Sequence, residues 1–543
     1  MIKSICLALL ACYVVVTGQA QYSWNNLPKA VEPVFKKDTF NIVTYGAKPD
    51  GLNLNTKSIN AAIAACSSKG GGVVLVPPGL WLTGPVVMQS NVNLHLQAAA
   101  ILQFSADFNQ YPLVAGSFEG RAQARNQSPL SGDNLENIAI TGKGIIDGNG
   151  DVWRMVGKDR LTENQWKKKV ASGGLLSADG KLWYPSVKTK KAHEEKLSGV
   201  MAGGKNLADF DDIKDYLRPN LLVFSNCRKV LLEGVTFQNS PAWCLHPLLC
   251  ENLTIRDLFV KNPEYAQNGD GLDIESCRNV LVEGCTFDVG DDGICIKSGK
   301  DEEGRKRGRP TENVVIRKST VYKAHGGFVI GSEMSGGAKN IFVYDCNFMG
   351  TDKGLRFKTT RGRGGMVEHI YCKDIFMKDI GQEAIFFDMY YFVKSPAPGE
   401  KVEAPAVTEA TPQFQNFYID NIVCHGAEKG IFIRGLPEMS VKNIHLSNLV
   451  LKTNKGIEII EAANINLKNV QVVVAKTNPV VYVENSSKVS FDILKFNDNA
   501  ELLVNVNGER TKAISFMRTD GAKAGAKATF SNGATESEVT IKL

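Results

Sequence analysis

At 543 residues the chain is long enough for several domains, although a solenoid of that length grows around one continuous core. With 43% apolar and 22% charged side chains it is a soluble globular chain, which excludes a disordered or fibrous one. The formal charge of +6 suits an acidic ligand but lacks the strongly basic balance of a nucleic-acid binder.

Residues 1–20 have the pattern of a secretory signal: Lys3, an apolar run from Ile5 to Val16, then Gly18-Gln19-Ala20 as a small-residue cleavage site. That run is too short to span a bilayer, so the chain reads as exported, periplasmic or extracellular, without a transmembrane anchor. Leu9-Leu10-Ala11-Cys12 loosely resembles a lipoprotein box, but Cys12 sits inside the apolar run. The cysteines beyond the leader fall largely in or beside strand-like runs, where they behave as small buried hydrophobes. No Cys or His spacing marks a zinc site, and no cofactor is implied. The density is too low for a disulfide scaffold, leaving one or two bridges open.

In chain order, Phe40–Ala47 reads as a strand ending in a Gly turn. Asn55 or Thr56 then caps a helix whose apolar face is Ile59, Ala62, Ile63 and Cys66, closed by Gly70. The triple glycine 70–72 follows this helix and has no Lys-Ser/Thr after it, so it is not a phosphate loop. A strand follows at Val73–Val76. From about residue 91 a repeat takes over: a polar residue, often Asn, then alternating apolar residues. It starts at Asn137, Lys229, Asn252, Asn279, Asn313, Asn340, His369, Asn416, Asn443 and Asn464. Short strands joined by Gly, Asn and Asp turns exclude a helical array, and the spacing is mostly too short for propeller blades. The fold expected is all-β: a single-stranded parallel β-helix with an N-terminal capping helix over its open end, and Asn ladders at its turns. Residues 21–543 form one catalytic domain on this reading. Two segments interrupt it. Residues 151–218, with Trp153, Trp166, Trp183 and Tyr184, are either a wall or lid over a cleft or a surface decoration. Residues 394–413, rich in Pro, Ala and Glu, read as an exposed loop. Beyond Phe496 the repeat fades and a C-terminal cap is expected.

The chemistry-bearing clusters are N-G-D-G-L-D at 268–273, G-D-D-G at 290–293, A-H-G-G at 324–327 and L-R-F-K at 355–358. Each lies about one repeat after the last, so their side chains stack on adjacent coils about 4.8 Å apart. Asp291 and Asp292 are neighbours and would alternate faces in a regular strand, but Gly290 and Gly293 permit a bulge that turns both outward. Close carboxylates drive one pKa up and make that group a proton donor, with Asp270, one coil back, expected to stay anionic. Glycoside hydrolysis needs this division between an acid and a carboxylate that activates water. His325 is placed to hydrogen-bond the donor or hold its proton. Arg356 and Lys358 share a strand face and suit an anionic ligand.

The ordered set N-G-D, G-D-D, A-H-G-G and R-F-K resembles the N-T-D, D-D, G-H-G and R-I-K signatures of glycoside hydrolase family 28, the polygalacturonases and their relatives. The segment F-N-I-V-T-Y-G-A-K-P-D-G also resembles that family's opening. The resemblance implies a right-handed, pectin lyase-like β-helix that hydrolyses α-linked galacturonic acid in pectin, with inversion and without a metal. By motif, Asp291 is the general acid, Asp270 and Asp292 position and activate water, and His325 supports the acid. Asn268 borders the site, and Arg356 with Lys358 binds the substrate carboxylate. Tyr390 or Tyr391 fills the family's tyrosine position. Gly269, Ala324 and Phe357 depart from the family pattern and bear on the substrate, not on the titrating groups. The basic run 297–309, with Arg361 and Arg363, reads equally as a solvated loop or as substrate contacts. The long insertion favours exo action. Rival readings are a polysaccharide lyase on the same fold, a non-catalytic glycan-binding β-helix, and a hydrolase of rhamnogalacturonan or xylogalacturonan.

Overall fold

The computed structural model describes residues 22–397, 399–400 and 402–542. The expected leader at 1–20 lies outside these residues. The chain winds as a right-handed parallel β-helix. One wall is a parallel sheet of fourteen strands, and a parallel sheet of twenty-three strands bends round the remaining sides. Two inward columns on the first wall explain why these strands stack. Leu272, Ile294, Phe328, Leu355, Ile385, Ile431 and Ile457 pair in register from coil to coil. Two residues along, Ile274, Ile296, Ile330, Phe357, Phe387, Ile433 and Ile459 do the same. All of these side chains are buried, each contributing roughly 1.5–3 kcal/mol. Phe357 belongs to this core, packed 4.5 Å from Phe387 and 4.9 Å from Phe417 by ring centroid. The residues on either side of it, Arg356 and Lys358, therefore face outward.

Each repeat-marking polar residue, from Asn137 and Lys229 to Asn443 and Asn464, has left-handed φ between 53° and 59°. Asn tolerates that region better than other side chains, which is why it recurs. The amides also form ladders: Asn340 donates to Asn313 (3.2 Å) and Asn313 to Asn279 (3.1 Å), and Asn464 to Asn443 (2.9 Å) and Asn443 to Asn416 (3.0 Å). The repeat does not fade after Phe496. Strands Leu502–Asn507, Lys512–Met517, Ala526–Ser531 and Val539–Lys542 continue the same ladders. Here Lys488 and Ala513 hold the left-handed position, so the Asn marker is missing while the coil persists.

Helix α1 (Thr56–Ser68) covers the N-terminal end and buries Ile59, Ala62, Ile63 and Cys66. Asn55 is its N-cap, but its side chain bonds Lys48 and Leu82 instead of the first turn. The expected strand at 40–47 is shorter. It runs Thr39–Asn41 and gives way to a 3-10 turn at Ile42–Tyr45, because the Asn41 side chain accepts from Val43 N (3.0 Å). The ten described cysteines are buried and unbridged, so the one or two bridges the sequence leaves open do not form among them. No described helix is long and apolar enough to cross a membrane.

Residues 151–218 fold outside the coil as α2 (Glu163–Ala171), α3 (Val187–Glu194) and a small antiparallel sheet. They pack against an antiparallel hairpin, Leu113–Phe118 with Arg121–Asn126, through Ala124, Ala192, Phe210, Ile213 and Leu217. Replacing Asn313 in the middle of its ladder by Ala puts a Cβ-bearing, non-bonding residue at positive φ. Thermal melts of Asn313→Ala are expected to show a loss of about 1–3 kcal/mol, and Asn313→Gly a smaller one.

Candidate active site

The site lies on the outer face of the fourteen-stranded wall. A Cβ added to Gly271 would meet the Phe287 ring at 2.7 Å, one on Gly293 would meet Val321 at 2.5 Å, and one on Gly327 would meet Phe348 at 2.4 Å. Each of these glycines thus faces the core, and the next residue (Leu272, Ile294, Phe328) does too. Inward–outward alternation slips by one at the same place on three coils, and only glycine fits there. Asp270 and Asp292, the residues just before Gly271 and Gly293, face outward together, and Asp291, ahead of the strand that begins at Asp292, lines the same pocket with Asn268 from the coil before. Carboxylate oxygens of Asp270, Asp291 and Asp292 lie within 4.8 Å of one another.

The three carboxyls have different surroundings. Asp292 is buried, its Oδ1 accepting from Arg356 Nη1 (2.8 Å) and its Oδ2 from Lys358 Nζ (2.7 Å). Burial alone would raise its pKa, but Lys358, Arg356 and Lys297 reverse this and hold it far below the carboxylate range. Asp270 is 3% exposed and its Oδ1 has no hydrogen-bond partner among the described residues. Burial, then the charges of Asp291 and Asp273, push its pKa well up against the pull of Lys297. This corrects the expectation that Asp270 is the standing anion. Asp292 holds that place because the two cations of the R-F-K strand reach it and not Asp270. The same pairs mean that Arg356 and Lys358 already hold one carboxylate, that of Asp292.

Asp291 keeps 23% of its side chain exposed, and its Oδ1 lies 3.1 Å from His325 Nδ1. His325 N also donates to the Asp291 carbonyl (2.8 Å), and its Nε2 faces Asp352 at 3.8 Å. The bond to Asp291 raises the His325 pKa, with burial opposing. Tyr391, not Tyr390, reaches the pocket. Its ring lies 4.9 Å from Lys358 Nζ and 5.7 Å from Arg356 Cζ. Tyr390 is 5% exposed and turns away to Arg361 and Arg434, each 5.3 Å from its ring. Asn268 lines the pocket while its Oδ1 accepts from Arg218 (2.9 Å).

Sequence reasoning missed the floor of the site. Lys297 is buried, 3.0 Å from Glu333 and 3.5 Å from Asp273, with its ammonium 4.7 Å from the Trp243 ring. Glu333 is held down at about 2; burial would raise it, but Lys297, Lys358 and Arg363 prevail. Asp273 was legible as the second acid of 268–273, but Glu333 and Trp243 carry no motif. Of the basic run, Lys297 and Lys300 line the pocket. Arg305, Arg307, Arg361 and Arg363 instead pair with Glu409, Glu275, Glu438 and Asp301.

Comparison with known proteins shows the family. Residues 158–410 match Glycosyl hydrolases family 28, and residues 39–181 match the family described as Rhamnogalacturonase A/epimerase, pectate lyase-like. A hyperthermoactive exopolygalacturonase from Thermotoga maritima is 32% identical, superposes with a TM-score of 0.67, and pairs 82% of this chain with 94% of that one. The chain belongs to glycoside hydrolase family 28. A probable polygalacturonase of Vitis vinifera is 28% identical over 76% of this chain and 73% of its own length. An exo-poly-alpha-D-galacturonosidase of Dickeya chrysanthemi is 27% identical over 73% of this chain and 64% of its own. As a family 28 member the chain is a polygalacturonase-type glycoside hydrolase, with polygalacturonan as its substrate class.

The strained group of this family 28 site is Asp270. A raised folded pKa costs nothing below the unfolded value near 3.9, where both states are protonated, and the cost grows as pH rises. Asp270→Asn is therefore expected to stabilise the fold by about 0.5–2 kcal/mol at pH 7, while inactivating it. Melts across pH check this: the gain should vanish near pH 3–4, where the aspartate is protonated in both states.

Proposed function

We propose that the chain is an exported, exo-acting, inverting hydrolase of α-linked galacturonan. The observation that carries this reading is the division among the three carboxyls. Asp291, solvent-facing and bonded to His325, is the proton donor to the leaving oxygen. Asp292, an anion fixed by two cations, and Asp270, a strong base when ionised, hold the attacking water between them. The substrate carboxylate lies against Arg356, Lys358 and Lys300, with Tyr391 and Asn268 at its flanks. Asp292 is a poor nucleophile, because each of its oxygens already accepts a bond from a cation; this favours direct attack by water. The anomer of the first product decides the stereochemistry. Positive charge in the site comes from Arg356, Lys358 and Lys297, so activity is expected to withstand chelator.

Exo action is supported by the hairpin across one end of the groove. Glu119 at its tip lines the catalytic pocket and lies 3.3 Å from Lys300, and Lys300 N donates to Gly120 O (3.2 Å). Arg121 pairs with Asp301, and Phe118 packs 5.0 Å from Trp243. The 151–218 insertion braces this hairpin from behind, with Ala124 N donating to Gly199 O (2.8 Å) and Asn126 to Leu217 O (2.8 Å). The lining residues of the pocket come from the hairpin and the coils, not from the insertion. Export rests on the leader pattern at 1–20.

Asp291→Asn is expected to lower kcat by at least about a thousandfold while oligogalacturonate still binds. Proton NMR of the wild-type digest should show the β-anomer first. The α-anomer first would mean retention, and a rise in ultraviolet absorbance would mean a lyase. Monomer should be the sole early product, and trimming the tip 118–121 should yield mixed lengths. On the alkaline side, kcat/KM should fall as pH passes the raised His325 pKa, since the imidazolium is present below that value and lost above it. His325→Gln should remove that limb from the profile.

A further inference from the structure

The hairpin has a second side. Behind it, on the same outer wall but toward the N-terminal coils, lies a cavity of about 610 Å³, against about 130 Å³ for the catalytic pocket. The larger volume falls within the usual range for a bound small molecule, about 300–1,000 Å³. Its floor is Val223, Ser225 and Leu248, and its roof is hairpin residues Val114–Ser117 and Arg125–Ser128. The polar groups lining it are mostly neutral amides and hydroxyls. The charged ones are engaged: Asp133 accepts from Asn134 (2.7 Å) and Asn226 (3.2 Å), while Arg125 donates to Arg218 O and stacks 3.7 Å over Phe118.

Two buried amides border it. Asn126 and Asn220 are 1% and 4% exposed, and their side-chain oxygens have no hydrogen-bond partner among the described residues. The Ser117 hydroxyl, also on the lining, has none either. Asn126 spends its amide hydrogens on Lys214 O (2.7 Å) and Leu217 O (2.8 Å), which leaves its oxygen as an acceptor. Buried polar atoms are seldom left without a partner, because doing so costs about 1–3 kcal/mol each. An uncharged, hydroxyl-rich molecule with apolar ring faces suits the neutral amides and hydroxyls of this lining and covers Val223 and Leu248. A uronate would place its carboxylate beside Asp133 with no unengaged cation to meet it.

We propose that this cavity is a second saccharide-binding site, specific for neutral sugar units and separate from the catalytic pocket. The hairpin is the partition: Ser117 and Arg125 face the neutral site, and Glu119 faces the acids. Asn220 is held by His246 (3.2 Å), which bonds Glu275 (2.8 Å), which pairs with Arg307 (2.6 Å).

The test uses the full-length Asp291→Asn protein, titrated by calorimetry with galactobiose, the neutral counterpart of digalacturonate. Saturable binding of galactobiose is expected in the presence of saturating digalacturonate. Filling the cavity with Val223→Trp, or independently with Ser225→Tyr, should weaken galactobiose at least about tenfold. Digalacturonate affinity, and hydrolysis in the Asp291-containing forms of these variants, should stay within about twofold, which also reports that they fold. The proposal is overturned if galactobiose fails to bind, if digalacturonate displaces it, or if its affinity survives in a filled variant that retains activity. A failure of the catalytic assignment alone would alter the Asp291 results and leave galactobiose binding intact.

Discussion

A side chain on a β-helix wall has no freedom to choose its neighbours. The ladder fixes them one inter-strand spacing above and below, and the inward residues of each strand fix the phase. On this wall the inward phase is set by Leu272, Ile294, Phe328 and Leu355 and by their partners two residues along. The outward side chains must accept the company this dictates. Asp270, Asp273, Asp291 and Asp292 are crowded as a result, and Lys297, Arg356 and Lys358 are packed among them. Nearly all of these charges are buried, so neither solvent nor salt relieves them. The core thus provides the stability that the site consumes.

The site is consequently asymmetric although its acids are chemically alike. Two cations reach Asp292, burial and like charge press on Asp270, and solvent with an imidazole meets Asp291. Position alone drives the proton affinities of Asp270 and Asp292, identical side chains, in opposite directions. The same strand that delivers Arg356 and Lys358 places Phe357 between them in the core, so the cations are aimed by an apolar anchor. A bulkier ring than the family's usual Ile stands there, tilted against Phe387 and edge-on to Phe417.

The parts outside the coil do the shaping. A bare β-helix wall is an open groove, and the hairpin 113–126 divides it. That hairpin cannot hold itself across the groove, and residues 151–218 supply its apolar backing through Phe210, Ile213 and Leu217. The long insertion therefore acts at one remove: it supports a wall and is not the wall. The division leaves a charged pocket on one side and a neutral, larger one on the other.

Much of this was written in the sequence. Period, turn residues and apolar alternation specify a parallel coil, because a two-residue strand period and a left-handed turn leave marks at fixed places; the Asn positions read from sequence all adopt that turn. Helix α1 and its buried face followed from helical spacing, and the four motifs named the acids, the imidazole and the cations. Where the marks were absent the reading failed. The last coils were taken for a cap, since Lys488 and Ala513 stand where Asn was expected. Tyr390 and Tyr391 were indistinguishable as letters, and only the turn after Asp388 sends one to Lys358 and the other to Arg361. Which aspartate is the anion, the role of Lys297 and Glu333, and the reach of the hairpin were decided by tertiary structure alone. These depend on distances between coils remote in sequence and on the exclusion of water. A linear chain encodes which groups are present, and folding decides which of them must share a space.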